Sequence, residues 1–442
     1  MTIRMDEGAA ELLDTLHRAG YAAYVVGGCV RDSLLGLTPH DWDLCTSALP
    51  QQGMELFGEE KCIPTGLQHG TVTVKQGGGL YEITTFRTEG AYTDGRHPDE
   101  VHFVPDVRED LARRDFTINA MAYNEKEGLV DPFGGQTDLQ SGILRAVGVP
   151  HQRFTEDALR ILRLYRFAAR FGFSIDPPTA QAAQELCAHL DCVSVERIEE
   201  ELAKLLSAPA PAAYLDEKIL GVVLPELSPE ALAAAKPVVD ACPAGAENLP
   251  IRLAALLYSL GEDGIRRTLK RLRCSNACIE ETAVLVREVV SGVPGAFSSD
   301  TNRAIPSPAL LPAATGSHPS GRSSEKLPAR PPVSLNIYTR KLLGQYGLKT
   351  VQRLAALGTA LQPEHAADFA ALSELAEQLD ADGVCCRVSQ LAVNGRDLMA
   401  AGVPSGPGIR KVLEALLDGV IREEYPNERQ ALLTAVQQLA AS

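Results

Sequence analysis

Hydrophobic and polar positions alternate with changing periods along the chain. Residues 6–19 (DEGAAELLDTLHRA) place leucines at helical spacing and predict an amphipathic helix. The apolar run at 22–27 (AAYVVG) predicts a buried strand, and a glycine turn leads into a short helix over 30–36. A second strand is expected over 41–45. Residues 69–87 (HGTVTVKQGGGLYEITTFR) hold two β-rich runs joined by three glycines, a hairpin pattern. The polar stretch 88–100 (TEGAYTDGRHPDE) predicts a mobile loop, and 108–123 a helix. Beyond DPFGG at 131–135 the helical period dominates to the end. One interruption, 292–333, is rich in Pro, Ser, Ala and Gly and predicts a flexible insertion without a packed core. The expected fold class is α+β: a head with a small mixed sheet over 1–140, then all-helical segments over 141–207, 208–291 and 334–442.

Composition narrows the picture. A chain of 442 residues exceeds one compact core and predicts several domains. No run reaches the roughly 18 apolar residues of a membrane span, and the first residues lack a signal-peptide core. A cytoplasmic protein with no membrane partner is expected. Ten cysteines without a C-x-x-C pair predict reduced thiols in place of a zinc ribbon or disulfide frame. The net charge of −15 argues against a nucleic-acid binder, yet residues 145–170 carry six arginines against Glu156 and Asp157.

The candidate chemistry begins at YVVGGCVRDSLLGLTPHDWDLCTS (24–47). Gly27 and Gly28 follow a strand, where backbone N–H groups can approach a triphosphate. Arg31 adds a fixed positive charge. Asp41 and Asp43 stand at i and i+2 on the predicted strand and so share one face. Such carboxylates repel each other unless protonated or bridged by a cation. Magnesium pairs one or two carboxylates with substrate phosphates, so Mg2+ is the expected ion. In the second run of the hairpin, Glu82 lies on one face with Thr84 and Phe86 and is a candidate third acidic group.

These residues, G-G-x-V-R-D followed by D-x-D-x-x-T, closely resemble the catalytic signature of the class II tRNA nucleotidyltransferase and bacterial poly(A) polymerase superfamily. The resemblance implies a nucleotidyltransferase head of the DNA polymerase β-like type. It implies that Asp41 and Asp43 are catalytic metal ligands and that Gly28 and Arg31 bind nucleotide. Asp32 fits the motif, with a role in orienting Arg31. RRDFTINAMAYN (113–124) matches a further family block, in which Arg114 can reach phosphate while Asp115 and Asn119 can hydrogen-bond a ribose. FTEDALRILRLYRFAARFGF (154–173) matches the family's E-D-x-x-R-x-x-R helix. Asp157 and Arg160, on adjacent turns of one helix, would read the base edge shared by C and A. Arg163 and Arg166 match further nucleotide-binding arginines. SVERIEEELAKLL (194–206) matches a helix that braces this neck.

The resemblance implies a neck over 141–207, a body over 208–291 and a tRNA-binding body and tail over 334–442. Tyr258 and Ser259 stand where related enzymes carry a His-Asp pair, so no metal phosphohydrolase is expected. The basic run GIRRTLKRLR (264–273) is either a tRNA contact or a solvated helix face. The implied function is protein-templated, magnesium-dependent addition of CCA to tRNA from CTP and ATP. CC-only, A-only or poly(A) addition and a non-catalytic tRNA-binding protein remain as alternatives.

Overall fold

A computed structural model of the chain describes residues 3–90, 100–292 and 335–441. The head runs α1 (Glu7–Arg18), β1 (Ala23–Val26), α2 (Gly28–Leu34), β2 (Leu44–Thr46), α3 (Pro50–Phe57), β3 (Cys62–Gly66), β4 (Thr71–Gln76) and β5 (Gly79–Thr85). It continues through β6 (Arg87–Glu89), β7 (Val101–Phe103), α4 (Val107–Ala112), β8 (Ala122–Asn124) and β9 (Gly128–Val130). Seven strands form one sheet in the order β3-β4-β5-β2-β1-β8-β9. The β2–β5 pair is parallel and the other pairs are antiparallel, so the sheet is mixed.

All four residues of β1 are buried, as the apolar run requires. Tyr24 and Val26 pack with Cys45, Phe86, Leu111 and Ala122 in the head's core. Leu12, Leu13 and Leu16 form the buried stripe of α1, whose N-terminus is capped by Asp6. The β4–β5 hairpin turns on Gly77 and Gly78, at φ 56° and 85°. Two successive positive φ values are what a two-residue hairpin turn needs.

Two expected elements are corrected. The helix expected over 108–123 stops at Ala112, and after a single 3₁₀ turn at Thr117–Asn119 the chain enters β8, which pairs with β1. Phe116, Ile118, Ala120, Met121 and Ala122 are all fully buried, too wide a set for one face of a surface helix. The strand expected over 41–45 is confined to Leu44–Thr46, and Asp41 and Asp43 lie in the extended segment before it. The loop expected over 88–100 lies mostly outside the described residues, as does the insertion expected over 292–333.

The neck follows as α5 (Gly135–Ser141), β10 (Ile143–Leu144), α6 (Pro150–Glu156), α7 (Leu159–Phe171), β11 (Ser174–Ile175), α8 (Pro177–Glu185) and α9 (Val195–Leu206). Strands β10 and β11 pair in parallel, and α7 packs along α9. The chain divides into two compact units, Met1–Pro229 with Arg271–Arg273, and Glu230–Lys270 with Cys274–Ser442. The described part of the second unit is helical, and one of its cores gathers Leu398, Leu416, Val420 and Leu432. Among the described residues no helix is long and apolar enough to cross a membrane.

Candidate active site

The glycine turn between β1 and α2 sets the position of the site. Gly27 has φ 78°, and its N–H donates to the Met121 carbonyl at 3.0 Å. A Cβ at Gly27 would stand 2.7 Å from Arg114 Nη1, so the turn and the guanidinium are packed together. At Gly28 a Cβ would meet only Arg31 Nη2, at 3.6 Å, so the turn here stays open to a ligand. The Val26 N–H donates to the Asp43 carbonyl at 2.9 Å, which ties the acidic segment to the strand that ends in the turn.

Asp41 and Asp43 are exposed and flank a half-buried Trp42. Register carries Glu82 to them. Leu44 pairs with Ile83, so the next step back sets Asp43 beside Glu82, which is also exposed. The surrounding protein pushes the Asp43 carboxyl up, first by desolvation and then through the charges of Glu82 and Asp41; Arg114 opposes this. Since Asp43 keeps solvent access, an incoming cation would relieve the repulsion. Among the described residues no three His, Cys, Asp or Glu side chains converge on a metal position. Two hard oxygen donors completed by substrate phosphates fit the coordination habit of magnesium.

Behind the turn lies a buried polar network. Arg31 is 4% exposed; its Nε donates to Asp32 Oδ1 at 2.8 Å and its Nη1 to Asn119 Oδ1 at 2.5 Å. The ring centroids of Phe167 and Phe171 lie 5.2 and 4.9 Å from its guanidinium carbon. Arg31, expected to bind nucleotide, is oriented by these partners, and its Nη2 lies 3.6 Å from the place a Cβ would take at Gly28. Asp115 and Asn119, expected at a ribose, are buried as well. Asp115 accepts from Asn119 Nδ2 at 3.1 Å and from Arg163 at 2.9 and 2.6 Å. Burial by itself would raise the Asp115 carboxyl, but Arg163, Arg160 and Asn119 hold it well below the usual carboxylate range. Arg166 meets Glu201 of α9 at 2.6 Å and lies over the Phe167 ring at 3.9 Å.

The pair expected on one helix is arranged differently. Asp157 lies in the break between α6 and α7 with extended backbone, φ −145° and ψ 103°. Its Oδ1 accepts the Leu159 N–H at 3.0 Å, and the carboxylate receives Arg197 of α9 at 2.7 and 3.3 Å. Arg160 donates to Glu156 at 2.8 Å and to the Arg113 carbonyl at 3.2 Å. The two side chains thus flank a helix junction, each held by its own counter-ion. Glu156, Arg197 and Glu201 were not singled out as site residues from the sequence. The available signals were Glu156 in the E-D-x-x-R-x-x-R block and the i, i+4 spacing of Arg197 and Glu201 on one face of α9.

In the basic run at 264–273, Arg266 pairs with Glu262 at 2.9 Å and with Glu280, and Arg271 pairs with Glu226 at 2.7 Å. Those two cations serve the protein's own acids, while Arg267 and Lys270 are exposed.

A family model for the poly A polymerase head domain matches residues 23–145. A model for an RNA and SrmB-binding site of polymerase A matches 172–230, and one for tRNA nucleotidyltransferase domain 2 matches 336–436. A CCA-adding enzyme of Lactiplantibacillus plantarum is 34% identical over 99% of this chain and 97% of its own. One from Limosilactobacillus fermentum is 36% identical over 98% and 97%. The crystal structure of the Bacillus stearothermophilus CCA-adding enzyme in complex with CTP aligns at a TM-score of 0.76 and 30% identity, covering 99% and 98%. A Thermotoga maritima CCA-adding enzyme complexed with tRNA shares the fold at a TM-score of 0.64 and 20% identity, covering 99% and 97%. With relatives of this identity matched from end to end, the chain belongs to the CCA-adding enzymes, a family of tRNA nucleotidyltransferases.

Proposed function

We propose that the chain adds C, C and A to the 3′ end of tRNA from CTP and ATP in the cytoplasm, with the protein as template. The observation that carries this reading is the Arg160-to-Arg113 bond. It attaches the guanidinium proposed to read the base to the residue next to Arg114, whose own guanidinium packs against the turn at Gly27.

The tRNA 3′-hydroxyl oxygen attacks the α-phosphorus, an O–P bond forms, the bond to the β-phosphate oxygen breaks, and pyrophosphate leaves. Asp41 and Asp43 would hold magnesium, which when bound polarises the α-phosphate and offsets charge on the leaving group. Arg114 and the Gly28 amide would face the triphosphate, the Gly27 N–H being held by the Met121 carbonyl. Asp157 accepts from the exocyclic amine that C and A share, and Arg160 donates to the neighbouring acceptor on the base. Uracil and guanine present a carbonyl to Asp157 and are rejected by two facing acceptors. The ion pairs leave room for this, because a carboxylate has about four acceptor sites. Arg160 spends three N–H bonds on Arg153, Glu156 and Arg113 and has further donors beyond them.

The test is incorporation of α-labelled CTP and ATP into tRNA stripped of its 3′ end, with magnesium present. Transfer by the wild-type chain and none by Asp41→Ala is the expected result. A folded wild-type protein that incorporates neither nucleotide overturns the reading.

A further inference from the structure

Two consecutive arginines just past the end of α4 meet one carboxylate in different ways. Asp110 is 0% exposed, and its helix is anchored in the head's core by Val107 and Leu111. Asp110 Oδ1 accepts from Arg113 Nε at 3.0 Å, from Arg113 Nη2 at 2.9 Å and from the Arg87 N–H at 3.3 Å. Arg113 also donates from Nη1 to Glu89 at 2.9 Å, so its fork is committed to two acids. The other oxygen, Asp110 Oδ2, is buried and makes no hydrogen bond among the described residues. Arg114 Nη2 lies 3.6 Å from it, an ion pair too long for a hydrogen bond. Arg114 Nε is likewise buried and unbonded among the described residues, although the side chain as a whole is 21% exposed.

A buried carboxylate oxygen without a hydrogen bond is costly unless a nearby charge offsets it. That charge is Arg114, whose Nη1 packs against the Gly27 turn. Coulomb attraction persists at a distance where a hydrogen bond has already failed. Asp110 thus draws the guanidinium towards the turn without consuming its donors, whereas Arg113 spends its own. We propose that Asp110 is a positioning residue that keeps the Arg114 guanidinium at the glycine turn, with donors left over for a triphosphate oxygen. Asp110 touches no substrate and acts through Arg114. The bonds from Arg113 and Arg87 to Oδ1 fix the plane of the carboxylate, which leaves Oδ2 aimed at Arg114. This inference rests on the proposed contact between Arg114 and the triphosphate.

Two variants test it, with inorganic tripolyphosphate as inhibitor of CTP incorporation, since it has no base and reports the phosphate grip alone. Asp110→Asn removes the charge; with its oxygen kept towards Arg113, it turns an amide donor towards Arg114. Asp110→Glu keeps the charge but moves it by one methylene. Inhibition should weaken about tenfold in Asp110→Asn, the size of one charge-assisted contact, and about threefold in Asp110→Glu. KM for CTP and ATP should rise together with kcat little changed, and the preference for CTP over UTP should keep its wild-type value. A general disturbance of the fold would not separate KM from kcat in this way. In an Arg114→Ala background, Asp110→Asn should weaken inhibition no further, because the group it acts through is gone. Unchanged inhibition in either folded Asp110 variant overturns the proposal, so one of them suffices where the other fails to fold. A full further loss on top of Arg114→Ala also overturns it, since Asp110 would then act by another route. Arg114→Ala alone separates the two readings. Inhibition that survives Arg114→Ala defeats the phosphate contact given to Arg114; inhibition lost there but kept in the Asp110 variants defeats only the role given to Asp110.

Discussion

Asp115 shows how one side chain can be fixed by its neighbours before any ligand arrives. Its carboxylate is nearly buried, and its partner Arg163 is a third exposed. Replacing it with Asn should cost about 2 kcal/mol at neutral pH, less than for a fully buried pair because solvent reaches Arg163. The sign of the pH dependence follows from the lowered carboxyl. A depressed folded-state pKa adds stability that is complete above the unfolded value of about 3.9 and is lost as pH falls towards the folded one. Thermal melts of wild type and Asp115→Asn should therefore differ fully at pH 5 and above and converge in more acid solution. A gap that stays constant into acid would show that the ion pair contributes nothing. Gly27 offers a second prediction at this scale. Its positive φ, together with Arg114 at 2.7 Å from a would-be Cβ, makes Gly27→Ala strained and displaces the guanidinium. A loss of about 1–2 kcal/mol in stability is expected from the backbone alone. The rise in KM for both CTP and ATP should be equal, since phosphate binding is blind to the base.

At the scale of elements, what the sequence showed and what it hid have separate physical causes. The glycine turn, the hairpin and the paired carboxylates were legible because each depends on residue types a few positions apart. The end of α4 was not, because β8 is a strand through its pairing with β1 almost a hundred residues earlier. Asp157 was placed in a continuous helix because the apolar period runs through 154–173 without interruption. The break forms where Asp157 caps α7 and Arg197 draws its carboxylate towards α9. The brace helix α9 is thus more than packing. Arg197 holds Asp157, and one turn later Glu201 holds Arg166. Truncating Arg197 leaves Asp157 free to turn and should loosen base choice, whereas truncating exposed Glu200 on the same helix should not. Incorporation of UTP by Arg197→Ala, measured against Glu200→Ala, checks this. Equal rejection of UTP by both would return α9 to a purely structural part.

For the whole molecule, the balance of charge has to be reconciled with a polyanionic substrate. The net charge is −15, and the arginines around the candidate site are largely matched by acids. Arg87 and Arg113 share Glu89, Arg145 lies between Asp138 and Asp176, Arg153 and Arg160 share Glu156, and Arg163 and Arg166 lean on Asp115 and Glu201. Such pairs orient side chains but release few counter-ions when RNA binds, because their charge is already balanced. Each phosphate neutralised by a free cation adds roughly 0.7–0.9 to the slope of log affinity against log salt. With two or three such contacts, affinity for tRNA should fall only roughly ten- to fortyfold between about 50 and 200 mM salt, against a thousandfold or more for a protein with six to ten. Recognition then depends on shape and on hydrogen bonds from residues already held in place. Binding titrations of tRNA across that salt range, at fixed magnesium, measure the slope directly. A thousandfold loss would mean that the internal ion pairs open to serve the RNA, and the neck arginines would then be its phosphate contacts.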